Sequence, residues 1–300
     1  MAAPVASELT GIGGVPAVTR RHPPPALNRI IQFGVLLLGA FVFLFPFYYM
    51  VIGALQREPN PDISGAFPQL GNLTLDNLAA INQAINLQRT LLNSAIFTGG
   101  VLIGTLVFGS LAGYALGQLE FRGRQTIFYT MLLLLVVPFQ LLMIPLYVMI
   151  ARDLGLADSY LGMILPYAIN TTAVFVFRQF FSEIPRDLFE AARIDGANEV
   201  DILTRIVVPI TRPVMLTAML VTFIGPWNEF LWPFLITKRL DLEPLAVALA
   251  NYISTVASRA ANPFGAILAG ATVLAVPVVI LFLIFQRQFI QSELGSAVKG

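Results

Sequence analysis

The sequence contains no cysteine and a single histidine, His22. The first absence excludes disulfides and thiolate metal sites. The second argues against a histidine-based metal centre or a Ser-His-Asp triad. Charge is also scarce. Asp, Glu, Lys and Arg make up 12% of the 300 residues, where a soluble domain carries roughly 25%. A water-exposed surface could not be solvated with so few ionisable groups. The net charge of +1 argues against a broad nucleic-acid surface. No G-x-x-x-x-G-K-[ST] occurs, and Gly13-Gly14 and Gly99-Gly100 lack a following lysine. The chain is therefore expected not to hydrolyse ATP, and no enzymatic role, metal or cofactor of its own is expected.

What is present is apolar. Hydrophobic residues make up 57% of the chain, which suits lipid as the solvent. A span needs about 20 mostly apolar residues, and such runs lie at 30–54, about 91–117, about 126–150, 160 to about 181, about 213–236 and about 264–285. The expected fold class is all-α, a polytopic membrane protein of six transmembrane helices. The first run exceeds the 7–15 residues of a signal h-region and is read as a retained span. Residues 1–28, rich in Ala, Gly and Pro, are expected to form a disordered cytoplasmic tail, with the transmembrane domain at 29–300. With the N-terminus inside, 12 of the 18 Lys and Arg residues fall on the cytoplasmic side, and this bias places both termini in the cytoplasm. It also makes 56–90 an external loop and 181–212 an internal one.

Gly100 and Gly104, then Gly109, Gly113 and Gly117, put small residues on one face of the second span and allow close backbone approach. That face suits packing within the chain, or against a second membrane subunit.

The internal loop, 183–209, has readable local physics. Pro185 suits a first helical turn. Asp187 and Glu190 favour the positive end of the helix dipole. Gly196 can take a positive φ and stop the helix. A second short helix is expected from about Asn198 to Val208, ended by Pro209. Six acids against four bases between Glu183 and Arg212 do not suit a DNA-binding helix-turn-helix.

The spacing Glu190-Ala191-Ala192, three residues, Gly196, nine residues, Ile206, one residue, Val208-Pro209 resembles the EAA loop of ABC importer permeases, E-A-A-x3-G-x9-I-x-L-P. Val208 in place of Leu is the one departure. The resemblance implies a type I importer permease whose coupling helix docks on a separate ATPase. Glu190, Ala191, Ala192, Asp195, Gly196, Ile206 and Pro209 would carry the coupling. Ala191 and Ala192 would permit close docking. ATP and magnesium would be held by the partner ATPase.

Trp227-Asn228-Glu229-Phe230, Pro138-Phe139-Gln140 and the terminal Gly295-Ser-Ala-Val-Lys-Gly300 resemble the carbohydrate branch, specifically the maltose-type second permease subunit. That likeness implies a tail, 287–300, whose Val298, Lys299 and Gly300 contact the ATPase. The implied partners are a second permease subunit, paired ATPase subunits, an extracytoplasmic solute-binding protein and a sugar. The external loop 237–263 would touch the binding protein.

Glu229 is the one ionisable side chain expected well inside a span, and such groups tend to face a bundle interior or a water-filled cavity. By helical rise, Gln140, Asn170 and Asn228 share its depth. The four could line a hydrophilic path, or bond helix to helix. Pro226 and Pro233 are expected to kink span five. Rival readings are an ion-driven secondary transporter, for which one intramembrane carboxylate and no clear repeat are poor support, and the same architecture importing glycerol-phosphate-type solutes.

Overall fold

Backbone amides and carbonyls that face lipid must bond within their own segment, so long apolar runs fold as helices. The computed structural model describes residues 26–68, 70–257 and 262–297. Among them there is no β-strand, and a lone antiparallel bridge joins Gln56 to Leu73. The helices are α1 (Ala26–Ala54), α2 (Asp76–Ile85), α3 (Leu87–Gln118), α4 (Arg124–Leu134), α5 (Phe139–Tyr147), α6 (Tyr160–Ala168) and α7 (Thr171–Ser182). There follow α8 (Arg186–Ile194), α9 (Glu199–Ile202), α10 (Val208–Asn228), α11 (Leu231–Ile236), α12 (Leu245–Asn251) and α13 (Pro263–Ala297).

The chain divides into two units, one ending at Phe47 and one from Tyr48. In the first, the apolar side chains of α1 from Ile30 to Phe47 are mostly exposed, Phe43 to 79%. Lipid or another apolar surface must cover them in the membrane.

In the second unit α3 packs against α6, α7 and α10. Its glycine face makes that possible. A Cβ added at Gly104 would lie 2.8 Å from Ala168 Cβ and 2.9 Å from Ala168 Cα, and one at Gly113 would lie 2.7 Å from Phe177 Cβ. Gly100 faces Ile164, and Gly109 faces Phe177. The stripe is thus filled by α6 and α7 of the same chain, so these glycines are not a surface for a second subunit.

Four continuous helices are long and apolar enough to cross a membrane, at 30–54, 87–118, 199–228 and 263–286, and two bent pairs bring the number to as many as six. The expected third and fourth spans are the bent pairs. α4 and α5 turn by 100°, and α6 and α7 by 44°. Pro138, at φ −59° and ψ 131°, starts α5. It lacks an amide hydrogen and disfavours a helical conformation at Val137, so α4 cannot run on. Between α6 and α7, Ile169 and Asn170 are extended, and the Asn170 side chain accepts from Ala173 N.

The expected fifth span is corrected at both ends. Residues 199–228 form one helix of 30 residues, so Pro209 does not end a separate short helix. The turn before it, Leu203–Val207, is a π turn. That wider turn absorbs the missing amide and the ring of Pro209. At ~1.5 Å per residue the helix is ~45 Å long, longer than the ~30 Å hydrocarbon core, so one end stands clear of the lipid. At its other end the helix stops at Asn228. Pro226 lies in its last turn and Pro233 lies in the separate helix α11.

The glycine face yields a direct test. Gly104→Val should lower the thermal unfolding midpoint, by overpacking worth about 1–3 kcal/mol. Gly99→Val, at a position with nothing within 4 Å, should leave it within error. Size-exclusion melting curves in detergent check both.

Candidate functional site: the 183–209 hairpin and the helix breaks

Residues 183–209 fold as a hairpin. α8 has its N-cap at Pro185, and Asp187 lies in its first turn. Gly196 closes the turn at φ +86°, a left-handed conformation that side chains disfavour. Nothing lies within 4 Å of where its Cβ would be, so conformation alone selects glycine there. Asn198 restarts the helix, its Oδ1 accepting from Val200 N and Asp201 N, each at 3.0 Å. Such a cap satisfies two otherwise orphaned amides.

One face of the hairpin is buried. Phe189, Ala192, Ile202, Leu203 and Val207 join Tyr114 of α3, Phe177 and Phe181 of α7 and Met215 of α10 in one core, against which Ile206 packs. The motif residues therefore divide. Ala192 and Ile206 point inward, whereas Glu190, Ala191, Asp195, Gly196 and Pro209 are exposed. Ala192 meets the chain's own core, while Ala191 is exposed on the surface.

Beside α8 a cavity of about 390 Å³ is lined by Gln118, Leu119, Glu120, Arg186, Phe189, Glu190 and Arg193. Two features were missed in the sequence. Ile194 is 86% exposed and Val200 63% exposed, one on each arm beside the Gly196 turn. The available signal was an apolar residue on the polar side of an amphipathic helix.

The polar residues expected to line a path mostly serve helix ends. Glu229 does not lie within a span but in the break between α10 and α11. Its Oε1 accepts from Leu231 N at 2.9 Å and Trp232 N at 3.3 Å, starting α11. Asn170 caps α7 through Ala173 N at 3.1 Å. Asn228 Nδ2 donates to Ile224 O at 2.9 Å. Gln140 is exposed at the start of α5.

Trp227 is buried, and its Nε1 donates to Leu274 O of α13 at 2.9 Å. Pro166 cannot donate to the Gly162 carbonyl one turn earlier. Trp232 Nε1 donates to that carbonyl instead, at 3.1 Å. Phe139 packs on Tyr167 at 4.9 Å and on Trp232 at 6.1 Å between centroids. Tyr167 has its buried hydroxyl in the field of Glu229.

Of the loop expected at 237–263, residues 237–257 are partly helical and docked on α3. Asn93, fully buried, donates to Asp241 O and Glu243 O at 3.0 and 2.9 Å and accepts from the Tyr160 hydroxyl at 2.7 Å. Ser94 Oγ accepts from Leu245 N at 2.8 Å. Asp158 Oδ1 accepts from Lys238 N, Thr237 Oγ1 and Arg239 N. The Lys238 amide foremost holds this carboxyl below the usual aspartate range; burial opposes it, and the Thr237 and Arg239 donors add to the lowering. Asn93 was legible only as a polar residue in an apolar run. Val298, Lys299 and Gly300 lie outside the described residues.

Two outcomes follow. Replacing Gly196 by Ala should cost about 1–2 kcal/mol of stability, and by Asn less, as melting of the purified protein would report. Asp158 has a depressed folded pKa, so its stabilisation is present above the ordinary value of 3.8 and is lost as pH falls below it. Wild type should therefore lose more stability on acidification through that range than Asp158→Asn does, measured by the same melts.

Residues 105–292 match the family model described as "Binding-protein-dependent transport system inner membrane component". The chain is 32% identical over 284 residues to an arabinooligosaccharides transport system permease protein, AraQ, of Halalkalibacterium halodurans, covering 94% of this chain and 100% of that one. It is 32% identical over 273 residues to a lactose transport system permease protein, LacG, of Rhizobium radiobacter, covering 90% and 96%. It is 30% identical over 273 residues to an sn-glycerol-3-phosphate transport system permease protein, UgpE, of Agrobacterium fabrum, covering 88% and 95%. The fold matches a chain in the crystal structure of a bacterial ABC transporter involved in the import of the acidic polysaccharide alginate. The TM-score is 0.75 at 22% identity, over 87% of this chain and 96% of that one. The helical spans, the hairpin with its EAA spacing and these matches make the chain a member of the binding-protein-dependent transport system inner membrane component family, an ABC importer permease subunit.

Proposed function

We propose that this permease serves an importer of a sugar or oligosaccharide, forms half of its translocation path, and docks its internal hairpin on a separate ATPase that binds ATP and magnesium. The observation that carries the docking is the hairpin's two-sidedness. Its inner face is fixed in the core with Phe189 and Val207, and its tip presents Ile194 and Val200 to the outside. An exposed apolar tip among charged residues is what a partner's groove would bury. Glu190 and Asp195, exposed on the same hairpin, would meet that groove's rim. The second arm is continuous with the helix 199–228, so displacement of the tip is delivered to a span rather than absorbed in a loop.

The arginine bias supports a cytoplasmic position for this hairpin and for both termini. The C-terminal residues Val298, Lys299 and Gly300 would add to the ATPase contact. On the outer face, the loop docked through Asn93 would meet the solute-binding protein. Arabinooligosaccharide and lactose permeases among the relatives favour a sugar. The glycerol-3-phosphate relatives supply the second reading, a phosphorylated polyol. Gln140, Asn228 and Glu229 lie at helix ends where a kinked path could expose them to solute.

A complex of this chain with its second permease, ATPase pair and binding protein should hydrolyse ATP faster when the binding protein carries the right solute. A panel of oligosaccharides and glycerol 3-phosphate separates the two readings. Stimulation by none of them, in a complex that hydrolyses ATP, would sink both. Ile194→Glu should weaken ATPase association by about 1–3 kcal/mol, read as loss of the ATPase subunit on pull-down, while membrane insertion is retained.

A further inference from the structure

Three elements meet at one carboxylate. Glu199, the first residue of α9, accepts from Arg193 of α8 through Nε at 2.9 Å and Nη2 at 3.4 Å. The Tyr114 hydroxyl of α3 donates to the same carboxylate. Tyr114 is 4% exposed, and its ring lies 6.3 Å from that of Phe189 of α8, centroid to centroid. The Arg193–Glu199 pair bridges the two arms of the hairpin across the Gly196 turn. The tyrosine ties that bridge to the last turns of a different span.

As an ion pair this contributes little to stability, because both partners are half exposed, at 43% each. Its geometry does something else. Gly196 is a single left-handed residue on which α8 could pivot. With the bridge closed, α8 cannot swing on that turn without dragging Glu199 and, through Tyr114, α3. One turn beyond Tyr114, Gln118 Nε2 donates to Phe181 O of α7, so α3 is itself fastened at this level.

We propose that Tyr114, Arg193 and Glu199 are positioning residues that make the hairpin and the C-terminal end of α3 move as one body. Force on the hairpin tip then reaches two spans, α10 directly and α3 through the clamp. This rests on the reading of the hairpin as the ATPase contact. Cutting the clamp leaves α8 docked by Phe189 and Ala192 but lets its tip yield, so ATP is consumed with less solute moved.

The test uses the assembled transporter in nanodiscs or proteoliposomes, with solute accumulated per ATP hydrolysed as the readout. Tyr114→Phe removes one oxygen and keeps the ring on Phe189. Glu199→Gln keeps the size and removes the charge. Each should lower solute moved per ATP about fivefold or more. Arg193→Glu combined with Glu199→Arg should restore it toward wild type, since the tyrosine hydroxyl can also accept from arginine. Values for Tyr114→Phe and Glu199→Gln within about twofold of wild type would overturn the clamp, and Tyr114→Phe alone decides if the charged variants do not assemble.

A second measurement stands apart from transport. The chain has no cysteine, so spin labels placed at the exposed Leu188 of α8 and Leu111 of α3 in the same complex report the α8 to α3 distance. A distribution that broadens in Tyr114→Phe supports the clamp, and an unchanged one counts against it. A wild-type complex that hydrolyses ATP but moves no solute would instead sink the importer reading, while the label distances still judge the clamp.

Discussion

A helix that breaks in an apolar surrounding frees amides and carbonyls that water cannot satisfy. Much of this structure follows from how those groups are met. The break between α6 and α7 is met by Asn170, and the break between α10 and α11 by Glu229. The carbonyl orphaned by Pro166 is met by the Trp232 indole. Residues that look like candidates for solute contact are thus first the means by which bent spans exist. The two roles are compatible, because a cap stands where a helix ends, and a helix end is where a path through a bundle can open.

The same constraint organises the hairpin. Its turn and the restart of its second arm are supplied locally, by Gly196 and the Asn198 cap. Its core contacts come from α3, α7 and α10. A small element held on three spans, with an apolar tip left outside, can be pushed without being unfolded. The π turn at Leu203–Val207 carries it into α10 without a gap, despite Pro209.

On the opposite side, rigidity is built from side-chain amides rather than apolar bulk. Asn93 satisfies both of its amide hydrogens and its oxygen among Asp241, Glu243 and Tyr160. Asp158 gathers the backbone after α11. A loop fixed at two such points presents a defined surface rather than a flexible tether.

The all-helical class, the apolar runs and the glycine turn at 196 were legible because each is a local property. Composition demands lipid, helices answer lipid, and a left-handed φ selects glycine. The EAA spacing marked the hairpin for the same reason, since its positions lie within 20 consecutive residues. The direction each side chain faces was decided by the tertiary structure. Ala191 and Ala192 are identical in sequence terms, yet one is exposed and the other meets a core built from distant helices. Glu229 reads as a charge within a span until the helix stops one residue before it. Pro209 reads as an end until a π turn admits it. Tyr114 and Glu199 are 85 positions apart, and only the packing of α3 on the hairpin brings them to one hydrogen bond.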